Sequence, residues 1–254
     1  MTARDWEIAE TVNLIRVATG QQLERLCFAG VQEGRSRTVT RSRVLARLVR
    51  WRVLVPVGRR VGGAQKGSTV QVFALDSTGQ RLLVQRQLRA GEPARVRRPG
   101  APGRHARDHL LAVAELYTTL VEQARAQNVT VTFKAEPGAH WPDGMGGRLK
   151  PDAYVVLARE RVRDHWWVEV DQATESLPTV RRKLQVYLDF QGRGGLGPDG
   201  LTPWVLVSTV TARRREAIVA VVGRLPGAAE LVRVTCSNEA ASFMLNVLTG
   251  MTGI

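Results

Sequence analysis

Asp152, Glu169 and Asp171 are the residues of this chain whose types and spacing could do chemistry. Asp152 opens the apolar run Ala153-Tyr-Val-Val-Leu-Ala158, and Glu169 and Asp171 close the run that starts at Trp166. Side chains alternate along a strand, so Glu169 and Asp171 should point to one face and Val170 to the other. If the two runs pair as neighbouring strands, Asp152 joins them and three carboxylates converge at one sheet end. A hard divalent cation, Mg²⁺ or Mn²⁺, takes such an oxygen cluster. It would polarise a phosphodiester and lower the pKa of an attacking water. Lys183, on a helix-like stretch just downstream, is a candidate for stabilising charge there. The competing reading is structural, because acids are common at strand ends, where they hydrogen-bond or meet water.

The charge distribution suggests a substrate. The formal net charge is +14, from 37 Lys and Arg against 23 Asp and Glu. Residues 1–108 hold 21 basic and 8 acidic residues, whereas residues 109–254 hold 16 and 15. A codon preference for arginine would not gather the excess in one half. A basic first half beside a balanced, acid-bearing second half reads as a nucleic-acid-binding module joined to another domain.

The elements of the basic half fit that reading. Residues 5–18 carry an apolar helical stripe through Ile8, Val12 and Ile15. Thr19 with Gln22 fits a capping box ahead of a second short helix, and the polar stretch Glu33 to Thr38 reads as a loop. A third helix is expected from Thr40, as its cap, to Trp51. Its apolar positions are Val44, Leu45, Leu48 and Val49, which places Arg43, Arg47 and Arg50 on the opposite face. Two strands, Val53–Val57 and Thr69–Ala74, flank a Gly-rich turn bearing Arg59, Arg60 and Lys66, and another helix starts near Ser77. Helix, helix, helix, hairpin, helix is the order of a winged helix-turn-helix over residues 1–88, whose third helix would enter the major groove. The expected DNA contacts are Arg41, Arg43, Arg47 and Arg50 on that helix and Arg59, Arg60 and Lys66 at the hairpin tip. Arginine suits bidentate contact with guanine or phosphate. The alternative for each is a solvated basic face.

Residues 89–107, rich in Pro, Gly and Arg, read as a basic linker. Residues 108–254 then alternate helices and strands, an α/β or mixed α+β domain. It opens with a long helix from about His105 to Gln127. A strand at 129–135, the two acid-bearing strands and a helix from Ser176 to Phe190 follow. A strand at 203–210, a helix from Ala212, a strand at 230–235 and a last helix complete the pattern.

Composition removes several alternatives. No apolar run approaches a membrane span and nothing at the N-terminus resembles a signal peptide, so a cytoplasmic location is expected. Two cysteines far apart in sequence, Cys27 and Cys236, argue against a disulfide framework. There is no P-loop, no Gly-x-Ser-x-Gly elbow and no His-x-His pair.

The second half resembles the PD-(D/E)XK nuclease superfamily, in Pro151-Asp152 followed by Glu169-Val170-Asp171 between a helix and a helix. The resemblance implies a restriction-endonuclease-type fold with Asp152 and Glu169 as metal ligands. The family lysine falls at Asp171, a departure. Either Lys183 supplies the ammonium from the next helix, or Asp171 takes a metal role, or the fold is kept without cutting activity. The whole chain resembles the replication-relaxation family of actinobacterial plasmids and integrative elements, through Glu169-Val-Asp-Gln-Ala-Thr-Glu-Ser176 and Lys183-x-x-x-Tyr187. That implies a DNA-binding protein of a plasmid or mobile element, acting in replication or DNA relaxation on double-stranded DNA.

Two functions are thus open. In one, the winged helix brings a metal-dependent nickase or endonuclease to duplex DNA. Asp152 and Glu169 are then ligands, Asp171 a third ligand or water-orienting base, and Lys183 a charge stabiliser. In the other, the protein is a non-catalytic replication or transcription regulator. Its second domain then serves homodimerisation or binds other replication or mobile-element proteins.

Overall fold

A computed structural model describes residues 1–60, 70–91 and 103–250. The chain is mixed α and β, and it divides into two compact units, Met1–Thr118 and Thr119–Ile254.

The first unit starts with α1 (Ala3–Ile15), capped reciprocally by Thr2 and Asp5. Arg16, with φ 69°, ends the helix. The stripe expected through residue 18 therefore stops early, and Val17–Thr19 form β1, all three buried. The capping box of Thr19 and Gln22 opens α2 (Gly20–Cys27), with both side-chain-to-backbone bonds made. Helix α3 (Arg35–Arg50) starts well before Thr40, and its N-cap is Gly34, not Thr40. Its first turns are exposed, so they carry no apolar stripe by which to be read as helix. Arg37 ties them down instead, donating to the Val31 carbonyl at 2.8 Å and pairing with Glu33 at 3.2 Å.

Strands β2 (Leu54–Arg60) and β3 (Val70–Leu75) follow, with β3 central in an antiparallel sheet of order β1-β3-β2. A register shift separates Pro56 and Gly58 in β2. Gly58 has φ 135°, and a Cβ there would lie 2.4 Å from the Arg107 guanidinium, so the position needs glycine. Asp76 caps α4 (Ser77–Arg89), and α5 (Arg104–Ala126) begins soon after, leaving only residues 92–102 of the expected linker outside the described residues.

In the second unit, β4 (Thr130–Ala135) precedes a small hairpin of β5 (Trp141–Pro142) and β6 (Arg148–Leu149). Then come β7 (Ala153–Arg159), β8 (Val162–Asp171), α6 (Leu177–Gly192) and β9 (Trp204–Thr209). Helices α7 (Ala212–Val222) and α8 (Ala228–Leu231), strand β10 (Val232–Cys236) and helix α9 (Ala240–Leu248) end the chain. The main sheet has the order β10-β9-β8-β7-β4. β4, β7 and β8 run antiparallel in turn, whereas β8, β9 and β10 are mutually parallel. A parallel step needs a crossover, and α6 supplies it between β8 and β9.

Central β8 is buried from His165 to Val170, as expected of a strand covered on both faces. On one face, Trp167 meets Tyr187 and Phe190 of α6, each with ring centroids 5.6 Å away. On the other, Trp166 packs edge-on against Phe243 of α9. No described helix is long and apolar enough to cross a membrane, and Cys27 and Cys236 form no disulfide.

Asp5 carries an unusual part of the first unit. Its side chain is fully buried, one oxygen accepts the Thr2 N–H at 2.7 Å, and the other takes Arg47 of α3 at 2.5 Å. Burial alone would push its carboxyl up. The Thr2 hydrogen bonds and the Arg47 charge outweigh burial, and it sits below the ordinary value of 3.8. The stabilisation is therefore fully present above about pH 4 and is lost as pH falls through the folded-state value. Asp5→Ala should cost roughly 3 kcal/mol, the low end for a broken buried pair because Arg47 keeps some contact with water. Denaturant unfolding at pH 7 and pH 3 checks this: the variant's deficit should shrink at the lower pH.

Candidate functional site

The carboxyl end of β8 brings chemistry together. Asp152 lies just ahead of β7, and its Oδ2 accepts the Val170 N–H at 2.7 Å, which ties it to β8. Glu169 and Asp171 are two residues apart on β8 and both meet helices that follow a parallel strand. Ser176 caps α6, and Thr211 caps α7.

Glu169 is nearly buried, and α6 holds both its oxygens. The Tyr187 hydroxyl donates to Oε1 at 2.5 Å, and Lys183 Nζ lies 3.8 Å from Oε2. Lys183 also pairs with Glu175 at 2.9 Å. Lys183 and Tyr187 are four residues apart and so share one helix face. Burial, then the Asp152 charge, push the Glu169 carboxyl up to about 8, against the pull of Lys183 and the Tyr187 hydrogen bond. Burial would lower the Lys183 ammonium, but Glu169 and Glu175 more than offset it, and the group stays above its ordinary value. Tyr187 is driven well above 10 by burial and by Glu169. The phenol therefore remains a proton donor to Glu169.

Asp171 is engaged differently. Arg214 of α7 grips it in a fork, Nε to Oδ2 at 2.8 Å and a terminal nitrogen to Oδ1 at 2.9 Å. The same arginine donates to the Glu175 carbonyl at 2.7 Å. The expected convergence of Asp152, Glu169 and Asp171 is therefore corrected. Among the described residues, no three His, Cys, Asp or Glu side chains stand close enough to hold a metal ion. The alternation along β8 is as expected, but a cation from α7 occupies the Asp171 carboxylate. What remains is a pair, Asp152 and Glu169, with Lys183 beside it. Their oxygens are of the kind that a hard divalent ion takes.

A family model described as replication-relaxation matches residues 10–205. The chain belongs to the replication-relaxation family. The family suggests a role in plasmid or mobile-element replication or relaxation. No curated protein and no solved structure matches the chain.

The arginines expected at DNA divide into two sets in this replication-relaxation protein. Arg41 pairs with Glu24 of α2 at 2.7 Å. Arg47 is bound to Asp5 and stacks over Trp51 at 5.1 Å, so it leaves the outward face on which it was expected. Arg43 and Arg50 are exposed and have no ion pair among the described residues. Arg59 and Arg60 close β2, but their side chains, like all of Lys66, lie outside what is described.

Sequence reasoning missed Tyr187 as the anchor of Glu169 and Arg214 as the partner of Asp171. The first was legible in the four-residue spacing from Lys183. The second had a signal too. Arg213, Arg214 and Arg215 crowd the first turn of α7, where the helix dipole disfavours cations, so an acidic partner was to be expected.

The raised Glu169 value has a definite sign for stability. In the unfolded chain the group ionises near 4.5, and in the fold near 8. Between those values the native state holds a proton that the unfolded state has released, so stability falls as pH rises and levels off above about 8. Melting temperatures in chelator from about pH 5 to pH 9 should show this decline, and Glu169→Gln should flatten it. Equal slopes in both proteins would refute the assignment.

Proposed function

We propose that this protein binds duplex DNA through its first unit and cuts a phosphodiester with its second, as part of replication or DNA relaxation in a plasmid or mobile element. The order α1-β1-α2-α3-β2-β3, with β1 joining the two hairpin strands, supports a winged helix-turn-helix reading of the first unit. The three antiparallel strands, crossover helix and parallel strand of the second support a PD-(D/E)XK-like reading.

The observation that carries the catalytic reading is the buried Glu169 carboxyl, pushed up by burial and by the Asp152 charge and held by Tyr187 and Lys183 from one helix face. Asp152 and Glu169 would hold Mg²⁺ or Mn²⁺. Such an ion, when bound, polarises the phosphodiester and eases ionisation of water. The chain's own residues do the rest. Tyr187 fixes the rotamer of Glu169, and the Val170 N–H fixes that of Asp152. Lys183, steadied by Glu175, offers an ammonium to the charge that builds on phosphorus oxygens. Lys183 takes the role that a lysine at position 171 would have in the nuclease superfamily.

A second reading is favoured by one observation, the Arg214–Asp171 fork. It leaves two acids rather than three, as in a non-catalytic regulator that keeps the fold and uses the second unit for dimerisation or partner binding. Supercoiled plasmid separates the two. Mg²⁺ or Mn²⁺ should convert it to open circles. Asp152→Ala should abolish nicking, and Lys183→Ala should slow it roughly 10²–10³-fold, as loss of one charge-stabilising donor does. Duplex affinity should persist in both variants. Full duplex binding with no nicking in either metal would select the regulator.

A further inference from the structure

Helix α3 holds six arginines and no acid, and the fold uses them unequally. Leu45 and Leu48 are its buried residues. At about 100° per residue, the positions directly opposite are Val39, Arg43, Ala46 and Arg50, at spacings of four, three and four. All four are exposed, and Val39 shows 38% of its surface, high for a large apolar side chain. Val39 belongs to this stripe only because the helix starts at Arg35. Arg47 flanks the stripe and Arg41 lies on the Leu45 side of the helix; they pair with Asp5 and Glu24 respectively.

A face for phosphates alone would need cations only. This one alternates a branched methyl surface, a guanidinium, a methyl and a guanidinium along about 16 Å of helix. Base edges in the major groove display that mixture. Guanine offers two acceptors to a bidentate arginine, and thymine offers a methyl group to an apolar side chain. A helix also fits that groove in width. The cationic, acid-free surface complements duplex DNA, not a basic partner.

Resting on the DNA-binding reading of the first unit, we infer that α3 reads a guanine- and thymine-containing duplex site through Val39, Arg43, Ala46 and Arg50. Arg41 and Arg47 are positioning residues that hold the helix at the angle this requires. Arg41 ties α3 to α2 and Arg47 ties it to α1, so both set where the stripe points without touching the bases.

The test uses the full chain and a pool of random duplexes, followed by affinity measurements on the enriched site. The enriched site should contain guanine and thymine. Arg43→Ala and Arg50→Ala should each cost roughly 5- to 150-fold on that site and relax the preference for guanine, with an unchanged melting temperature. Replacing one thymine by uracil, which removes only the methyl group, should weaken the wild type and have little effect on Val39→Ser. Arg47→Ala should lower the melting temperature and keep the base preference. Arg41→Ala makes the same comparison where Arg47→Ala does not fold. Steep salt dependence with no enriched sequence would overturn the inference and leave DNA binding standing, since the helix would then touch only backbone. An enriched sequence whose preference survives Arg43→Ala and Arg50→Ala would overturn it too. No duplex binding at low salt would remove the DNA-binding reading and this inference together.

Discussion

A buried carboxylate without a full complement of partners is costly, and Glu169 sets that constraint on the second unit. Its place on central β8 puts it under α6, where solvent cannot pay for its charge. Three features of the local sequence answer it. Tyr187 and Lys183, one turn apart, each take one oxygen. Glu175 then holds Lys183 from the loop between β8 and α6. The apolar residues of α6, Val180, Leu184 and Leu188, fix that helix over the sheet, so its polar edge is delivered to Glu169 by packing. Core and site are thus made by the same helix, and a change that shifts α6 would move both.

The first unit solves a related problem with Asp5. Here the acid is buried beside an arginine close enough to neutralise it, and its carboxyl is lowered where that of Glu169 is raised. Burial pushes both carboxyls up, and the partners outweigh it only at Asp5. Arg47 lies in direct hydrogen-bond contact with Asp5, whereas Lys183 stands 3.8 Å from Glu169 while a second acid, Asp152, acts against it. Asp5 reads as a structural tie and Glu169 as a group left in need of positive charge. Perturbed carboxyls of the second kind concentrate where function requires them.

Much of this was legible in the sequence because it rests on period and capping. The alternation that put Glu169 and Asp171 on one face, the Thr19–Gln22 box and the Ser176 cap are local, and the structure has them. The start of α3 was not legible, because its first turns are exposed and held by Arg37 to a carbonyl rather than by an apolar stripe. Strand β1 was hidden because Val17–Thr19 continue the apolar run of α1, and only pairing with β3 decides between helix and strand. The partners of Arg41, Arg47 and Asp171 are 17, 42 and 43 residues away in sequence. Sequence position shows where a side chain starts and not where it ends, so Arg41 and Arg47 read as DNA contacts and Asp171 as a metal ligand where the fold supplies two acids and an arginine.

Position 171 decides how the two readings of the second unit differ physically. A lysine there would put positive charge on the same face as Glu169, next to the acid pair. This chain instead has an acid, paired with Arg214 in a fork, whose guanidinium also donates to the Glu175 carbonyl. Arg214 thereby ties Asp171 to the loop between β8 and α6, and the side chain of Glu175 on that loop holds Lys183. Asp171 and Arg214 therefore bear on Lys183 through the loop that carries Glu175. The acid that closes the strand thus helps to hold the loop whose Glu175 steadies the lysine on the helix.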